Sequence, residues 1–132
     1  MVLQRLTDVR WPEGRVKKFR QAAFVYLHVT ILYEMSALVM LQHDMIPDRF
    51  GPPALWLTLG GVVGLAVFAA LYWWQNVWVA RVIWFVHGLR LKALINSAFI
   101  AGEARLAPGF YVAAIFVVVI NMWMLARAGW DL

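Results

Sequence analysis

Residues 77–100 read VWVARVIWFVHGLRLKALINSAFI, and the way this stretch sits decides the fold. Its length matches the roughly 20 residues of helix that cross the hydrocarbon of a bilayer. It also carries Arg81, His87, Arg90, Lys92 and Asn96. A helix lying flat on a membrane gathers its polar residues on one side. At about 100° per residue, Arg81, Gly88, Lys92 and Asn96 form one polar side, while His87, Arg90 and Ser97 fall roughly opposite. Two polar stripes separated by apolar ones suit a helix surrounded by other helices, so the segment is expected to span. Charge counting by itself also accepts a three-span arrangement with this segment on the cytoplasmic side.

On either side the reading is simpler. Residues 54–74 contain no charged side chain, and Gly60 with Gly64 makes a small-xxx-small face that lets a second helix approach closely. Residues 107–126 are likewise free of charge and lie between Arg105 and Arg127, with Pro108-Gly109 marking the break before them. Residues 21–41 form the first span, interrupted by His28 and Glu34. The stretch QHDMIPDRFGPP, residues 42–53, has the prolines, aspartates and glycine of a loop that cannot continue a helix.

Ahead of the first span, residues 1–20 carry Arg5, Arg10, Arg15, Lys17, Lys18 and Arg20 against Asp8 and Glu13. They read as a basic amphipathic arm, with a helix start at Trp11-Pro12-Glu13, where proline is tolerated in the first turn and glutamate complements the helix dipole. Because cytoplasmic loops collect lysine and arginine, four spans place the arm, Arg81 and Arg127 inside and Arg49 and Arg105 outside. Trp73, Trp74, Trp78, Trp123 and Trp130 then gather at the inner face, and Trp56 at the outer one, as an aromatic belt. The expectation is an all-α integral membrane protein, a single membrane domain over 1–132. Its fold is a four-transmembrane-helix bundle with a basic cytoplasmic arm and both termini cytoplasmic, in a bacterial cytoplasmic (inner) membrane.

Composition excludes much else. The 132 residues are 64% hydrophobic and 14% charged, against about 45–50% and about 25% in soluble domains. Three or four spans leave no room for a separate soluble domain. There is no cysteine, hence no disulfide, thiolate metal site or cysteine-ligated cluster. The net charge of +5 points to anionic lipid as a partner; no nucleic-acid-binding motif accompanies it. Phosphate-loop, dinucleotide, HExxH and GxSxG signatures are all missing, so an enzyme is not the expected reading.

The groups that demand a reason are those placed in hydrocarbon, where an arginine, lysine or aspartate at the bilayer centre costs about 2.5–3.5 kcal/mol or more. His28, Glu34, His87, Arg90 and Lys92 are such groups, whereas Arg81 lies near the inner boundary and can snorkel. Spans one and three run in the same direction, so Glu34 and Arg90 fall at similar depth and are expected to pair. Lys92 then lacks a counter-ion within the chain, and a buried unpaired charge is strongly destabilising. Lipid phosphate, an acid of another subunit or a cofactor carboxylate would supply one. His28 and His87 lie within about one helical turn of the same depth, a placement that admits a bis-histidine haem b with Arg90 on a propionate. Asn121 is expected to hydrogen-bond to a neighbouring helix or interfacial water.

The stretch YLHVTILYE, residues 26–34, with Arg49 and Pro52 after it, resembles the first span and loop of the small multidrug resistance exporters, four-helix proteins of similar length. Ile83-Trp84 and Gly88 weakly echo that family's third span, while His87, Arg90, Lys92 and the basic arm are foreign to it. The resemblance implies a proton- and drug-coupled carboxylate at Glu34 in a homodimer.

Three functions are therefore carried forward. The first is an accessory or assembly subunit of a larger membrane complex, with Glu34, Arg90, Lys92 and Arg81 binding partner subunits, anionic lipid or a cofactor. The second is a proton-coupled exporter using Glu34. The third is a b-type cytochrome using His28 and His87.

Overall fold

The computed structural model describes residues 12–43, 52–100 and 108–132. Among these residues all regular structure is helical: α1 (Pro12–Gln42), α2 (Pro53–Tyr72), α3 (Val77–Ile95) and α4 (Pro108–Gly129). The wider, π-type winding of Asn96–Ile100 extends α3.

Helix α1 begins at Pro12, where a missing N–H costs nothing, and no proline interrupts it before Gln42. The sequence boundary drawn between an arm and a span at residues 20–21 is therefore not a structural break. Its 31 residues reach about 46 Å, longer than the roughly 30 Å hydrocarbon core. Lys18 and Phe19, expected in a basic arm, are 3% and 0% exposed, because this part of α1 packs into the bundle. Residues 1–11 and 44–51, with the rest of the arm and most of the first loop, lie outside the described residues, as do residues 101–107 with Arg105.

Helices α2 and α3 are joined by a four-residue turn that is held mainly by local hydrogen bonds. Trp73 N–H donates to Ala69 O at 3.0 Å and Asn76 N–H to Ala70 O at 3.1 Å, closing the end of α2. Gln75 takes a left-handed backbone (φ 44°), and its Nε2 donates to Tyr72 O at 2.8 Å and Trp73 O at 3.1 Å. Asn76 then caps α3, its Oδ1 accepting from Trp78 N–H and Val79 N–H at 3.0 and 3.1 Å.

Neighbouring helices run up and down. Helix α1 packs along α2 and α4, and α3 packs along α4, whereas α2 and α3 scarcely touch. The core lies at one end of this bundle: Phe19, Ala22, Ala23 and Tyr26 of α1 meet Leu71 of α2, Ala80 of α3 and Leu125 and Ala128 of α4. Arg15, Arg20 and Arg81 stand at the same end. Arg15 Nη2 donates to Gln75 O at 3.4 Å, Arg20 lies 4.9 Å over the Tyr72 ring, and Arg81 Nε donates to Gly129 O at 3.0 Å. This basic end also holds Trp73, Trp74, Trp78 and Trp130, with Arg81 over the Trp78 and Trp130 rings. Trp123, seven residues before Trp130, is about 10 Å deeper along α4.

Among the described residues three helices are long and apolar enough to cross a membrane: Gly14–Gln42, Ala54–Tyr72 and Pro108–Gly129. Their lipid-facing surfaces are rich in exposed leucine, valine, phenylalanine and tryptophan, the distribution of a protein whose solvent is hydrocarbon. Among the described residues the protein is all-helical, and these helices are those of an integral membrane protein in length and composition. Helix α3 falls outside that trio, since Arg81, Arg90 and Lys92 offset its apolar residues.

Candidate functional site

The polar groups within the helices separate into an interior cluster and two lateral positions. The interior cluster is built on one face of α1. Tyr26 and Tyr33 are seven residues apart, so they stack on the same side within about 20°. The Tyr26 ring lies 5.8 Å from that of His87 on α3, and His87 is 3% exposed. From α4, fully buried Asn121 donates through Nδ2 to His87 Nδ1 at 3.0 Å. That bond leaves the ring proton of a neutral imidazole on Nε2. Asn121 thus holds a neighbouring helix, the role its position implied. Asn121 Oδ1 and the Tyr33 hydroxyl are buried and have no hydrogen-bond partner among the described residues.

Arg90, three residues on from His87, places its guanidinium 4.3 Å over the Tyr33 ring. The anticipated Glu34–Arg90 pair is not what the helices present: Arg90 meets the ring of Tyr33, and Glu34, the next residue, is turned toward α2. The reason is the 100° step per residue on α1. Tyr33 takes the position toward α3, and Glu34 takes the seam with α2.

That seam is where Gly60 and Gly64 act as their spacing implied. A Cβ on Gly60 would stand 2.6 Å from Glu34 Oε1, and one on Gly64 would stand 2.6 Å from Thr30 Cγ2. Thr30 and Glu34, one turn apart on α1, therefore seat directly on the two glycines. Glu34 also lines a laterally open groove of about 410 Å3 between α1 and α2, with Thr30, Thr58, Gly61 and Gly64 among apolar walls.

Lys92 occupies the other lateral position, exposed on α3 and two residues beyond Arg90. Two residues turn about 200°, so Lys92 faces away from α1 while Arg90 faces toward it. Asn96 lies on the Lys92 side and is exposed too. The two polar stripes of this helix thus differ: one is interior at His87, and the other is exposed at Lys92 and Asn96, while its Gly88 faces Met122 of α4. Arg81, on the Lys92 stripe, lies at the basic end, where it bonds to Gly129 O of α4.

His28 and His87 are not brought together. His28 is exposed, with Nδ1 2.7 Å from Phe24 O, while Tyr26, about 200° away on the same helix, faces His87. An axial pair across one gap does not form, because the two imidazoles look to opposite sides of α1. Among the described residues no three His, Cys, Asp or Glu side chains gather at a spacing that would hold a metal ion.

Sequence reasoning left Tyr26 and Tyr33 out of the site, although their seven-residue spacing on the face opposite His28 was a usable signal. It also left out the interior placement of Lys18, whose Nζ is buried and has no hydrogen-bond partner among the described residues. Comparison with known protein families, curated proteins and solved structures finds no match for this chain.

Proposed function

We propose that the chain is an accessory or assembly subunit of a larger membrane complex, a four-span bundle in which α3 also crosses the bilayer. Support for the fourth span comes from the packing of α3 along α4 and from His87, buried and bonded to Asn121 of α4. A helix lying in the interface has no interior neighbour to bury such a group against. Arg15, Lys17 and Arg20 are exposed at the tryptophan-rich end. They favour a cytoplasmic headgroup level there, contact with anionic lipid and cytoplasmic termini in a bacterial inner membrane.

The observation that carries the subunit reading is the pair of lateral charges. Glu34 lies in an open groove on one side and Lys92 is exposed on another, both within the helical span. Charges at such depth normally face protein or a water-filled cavity. A covering partner answers both. Gentle extraction of the native particle tests this: the expected result is this chain in fixed ratio with other polypeptide chains, and recovery of a lone monomer would reject it.

One observation also favours the exporter reading, namely that the Glu34 carboxylate is reachable from the side through its groove. In vesicles with an imposed proton gradient, Glu34→Gln should then abolish uptake of a lipophilic cation. Transport unchanged by the substitution would dismiss that role.

A further inference from the structure

The groove at Glu34 has a specific chemical demand. Its walls are mostly apolar side chains of α1 and α2 with Thr30 and Thr58, and its one ionisable group among the described residues is the Glu34 carboxylate. A Cβ added at Gly61 would find nothing within 4 Å, so the groove floor is open there to an incoming side chain. A fitting occupant is a membrane helix that carries one cation among apolar residues.

This chain displays such a helix on its own surface. On the outer side of α3, Phe85, Leu89, Lys92 and Asn96 follow at intervals of three and four, which places them in one stripe. Phe85 and Leu89 are 61% and 69% exposed, and Lys92 is exposed among the described residues. Heights also agree. Arg90 lies over Tyr33, the neighbour of Glu34, and Lys92 is two residues farther along, a rise of about 3 Å. Glu34 and Lys92 therefore stand within about one helical turn of the same level.

Within one copy the two cannot meet, because Lys92 points away from α1. Between copies they can. We infer that the Lys92 face of α3 in one copy docks into the α1–α2 groove of the next, joining Lys92 Nζ to the Glu34 carboxylate. Different patches meet at such a contact, so it is heterologous, and its repetition gives a ring or row of copies. This deepens the subunit reading and rests on it, naming a second copy of the chain as one partner.

Two differently tagged copies, co-expressed and gently extracted, provide the test when one tag is captured and the other is measured. Wild-type copies should capture each other. Lys92→Glu in both copies, or Glu34→Lys in both, should lower capture at least about tenfold. The double variant E34K/K92E, which restores opposite charges across each contact, should return it to within about twofold. If a charge reversal lowers the yield of folded protein, Lys92→Met gives the same reading without a reversed charge. Capture indifferent to these charges, or singles that the double variant fails to rescue, would overturn the contact. So would wild-type copies that never capture each other; if other chains are still recovered, the contact fails and the subunit reading stands. Recovery of neither overturns both.

Discussion

The two ends of the bundle are packed in different ways. At the basic end, Ala22, Ala23, Ala80 and Ala128 are buried beside Phe19, Leu71 and Leu125. Small residues let four backbones close on a few large side chains. Toward the opposite end, Met35, Leu38, Val39, Leu55, Phe99 and Ile100 are all exposed. Beyond the packed core lie the Glu34 groove and a smaller space of about 180 Å3 between α1 and α4 beside Tyr33. In water this divergence would be costly, but lipid tails solvate leucine as well as another leucine does. The lesson is that helix contact in such a protein follows residue size and polar pairing, and apolar surface alone does not enforce it.

The sharpest way to break the contrast is at the packed end. Phe19→Ala empties the space of a fully buried ring and should cost about 3–5 kcal/mol, transfer and cavity terms together. Leu38→Ala, on an exposed site, should stay within about 0.5 kcal/mol. Reversible unfolding in mixed micelles, followed by helical circular dichroism, measures both; equal losses would erase the distinction between the two ends.

Next comes the glycine seam, where neighbouring positions should respond unequally. Gly64→Val drives a branched side chain into Thr30 and should destabilise by about 1–2 kcal/mol, in the range of overpacking. Gly61→Ala meets nothing and should be silent. Gly60→Ala should fall between them, because the atom it meets is the movable tip of Glu34. The same unfolding assay ranks the three.

A smaller effect is expected from the bond that extends packing beyond the basic end. The His87–Asn121 pair, measured by a double-mutant cycle with His87→Phe and Asn121→Leu, should show a coupling of about 0.6 kcal/mol and no more than about 1.7. A coupling of zero would mean that the two side chains do not hold α3 to α4. Smallest is the cap of α3. Asn76→Ala removes an acceptor for two backbone N–H groups and should cost about 0.5 kcal/mol, near the low end for such caps. Faster amide exchange at Trp78 and Val79, with the rest of α3 unchanged, would register it.

Much of this was legible in the sequence because the bilayer imposes it. Charge-free runs opened by proline mark α2 and α4, and Gly60 and Gly64 were found from spacing alone. The partner of Arg90 was not legible. Depth along two helices can be counted from sequence, but rotation about each axis cannot. Turning α1 by one residue exchanges Tyr33 for Glu34 in front of α3. The same uncertainty placed His28 opposite His87, although it lies on the outer side.

The sequence by itself determined that the chain is helical and belongs in a membrane, since peptide groups in oil must bond within their own segment and these side chains favour oil. Only the tertiary structure decided which way each helix face looks. That outcome depends on the mutual fit of Thr30 and Glu34 on two glycines, of Arg90 on Tyr33 and of His87 on Asn121, and no single helix contains that information.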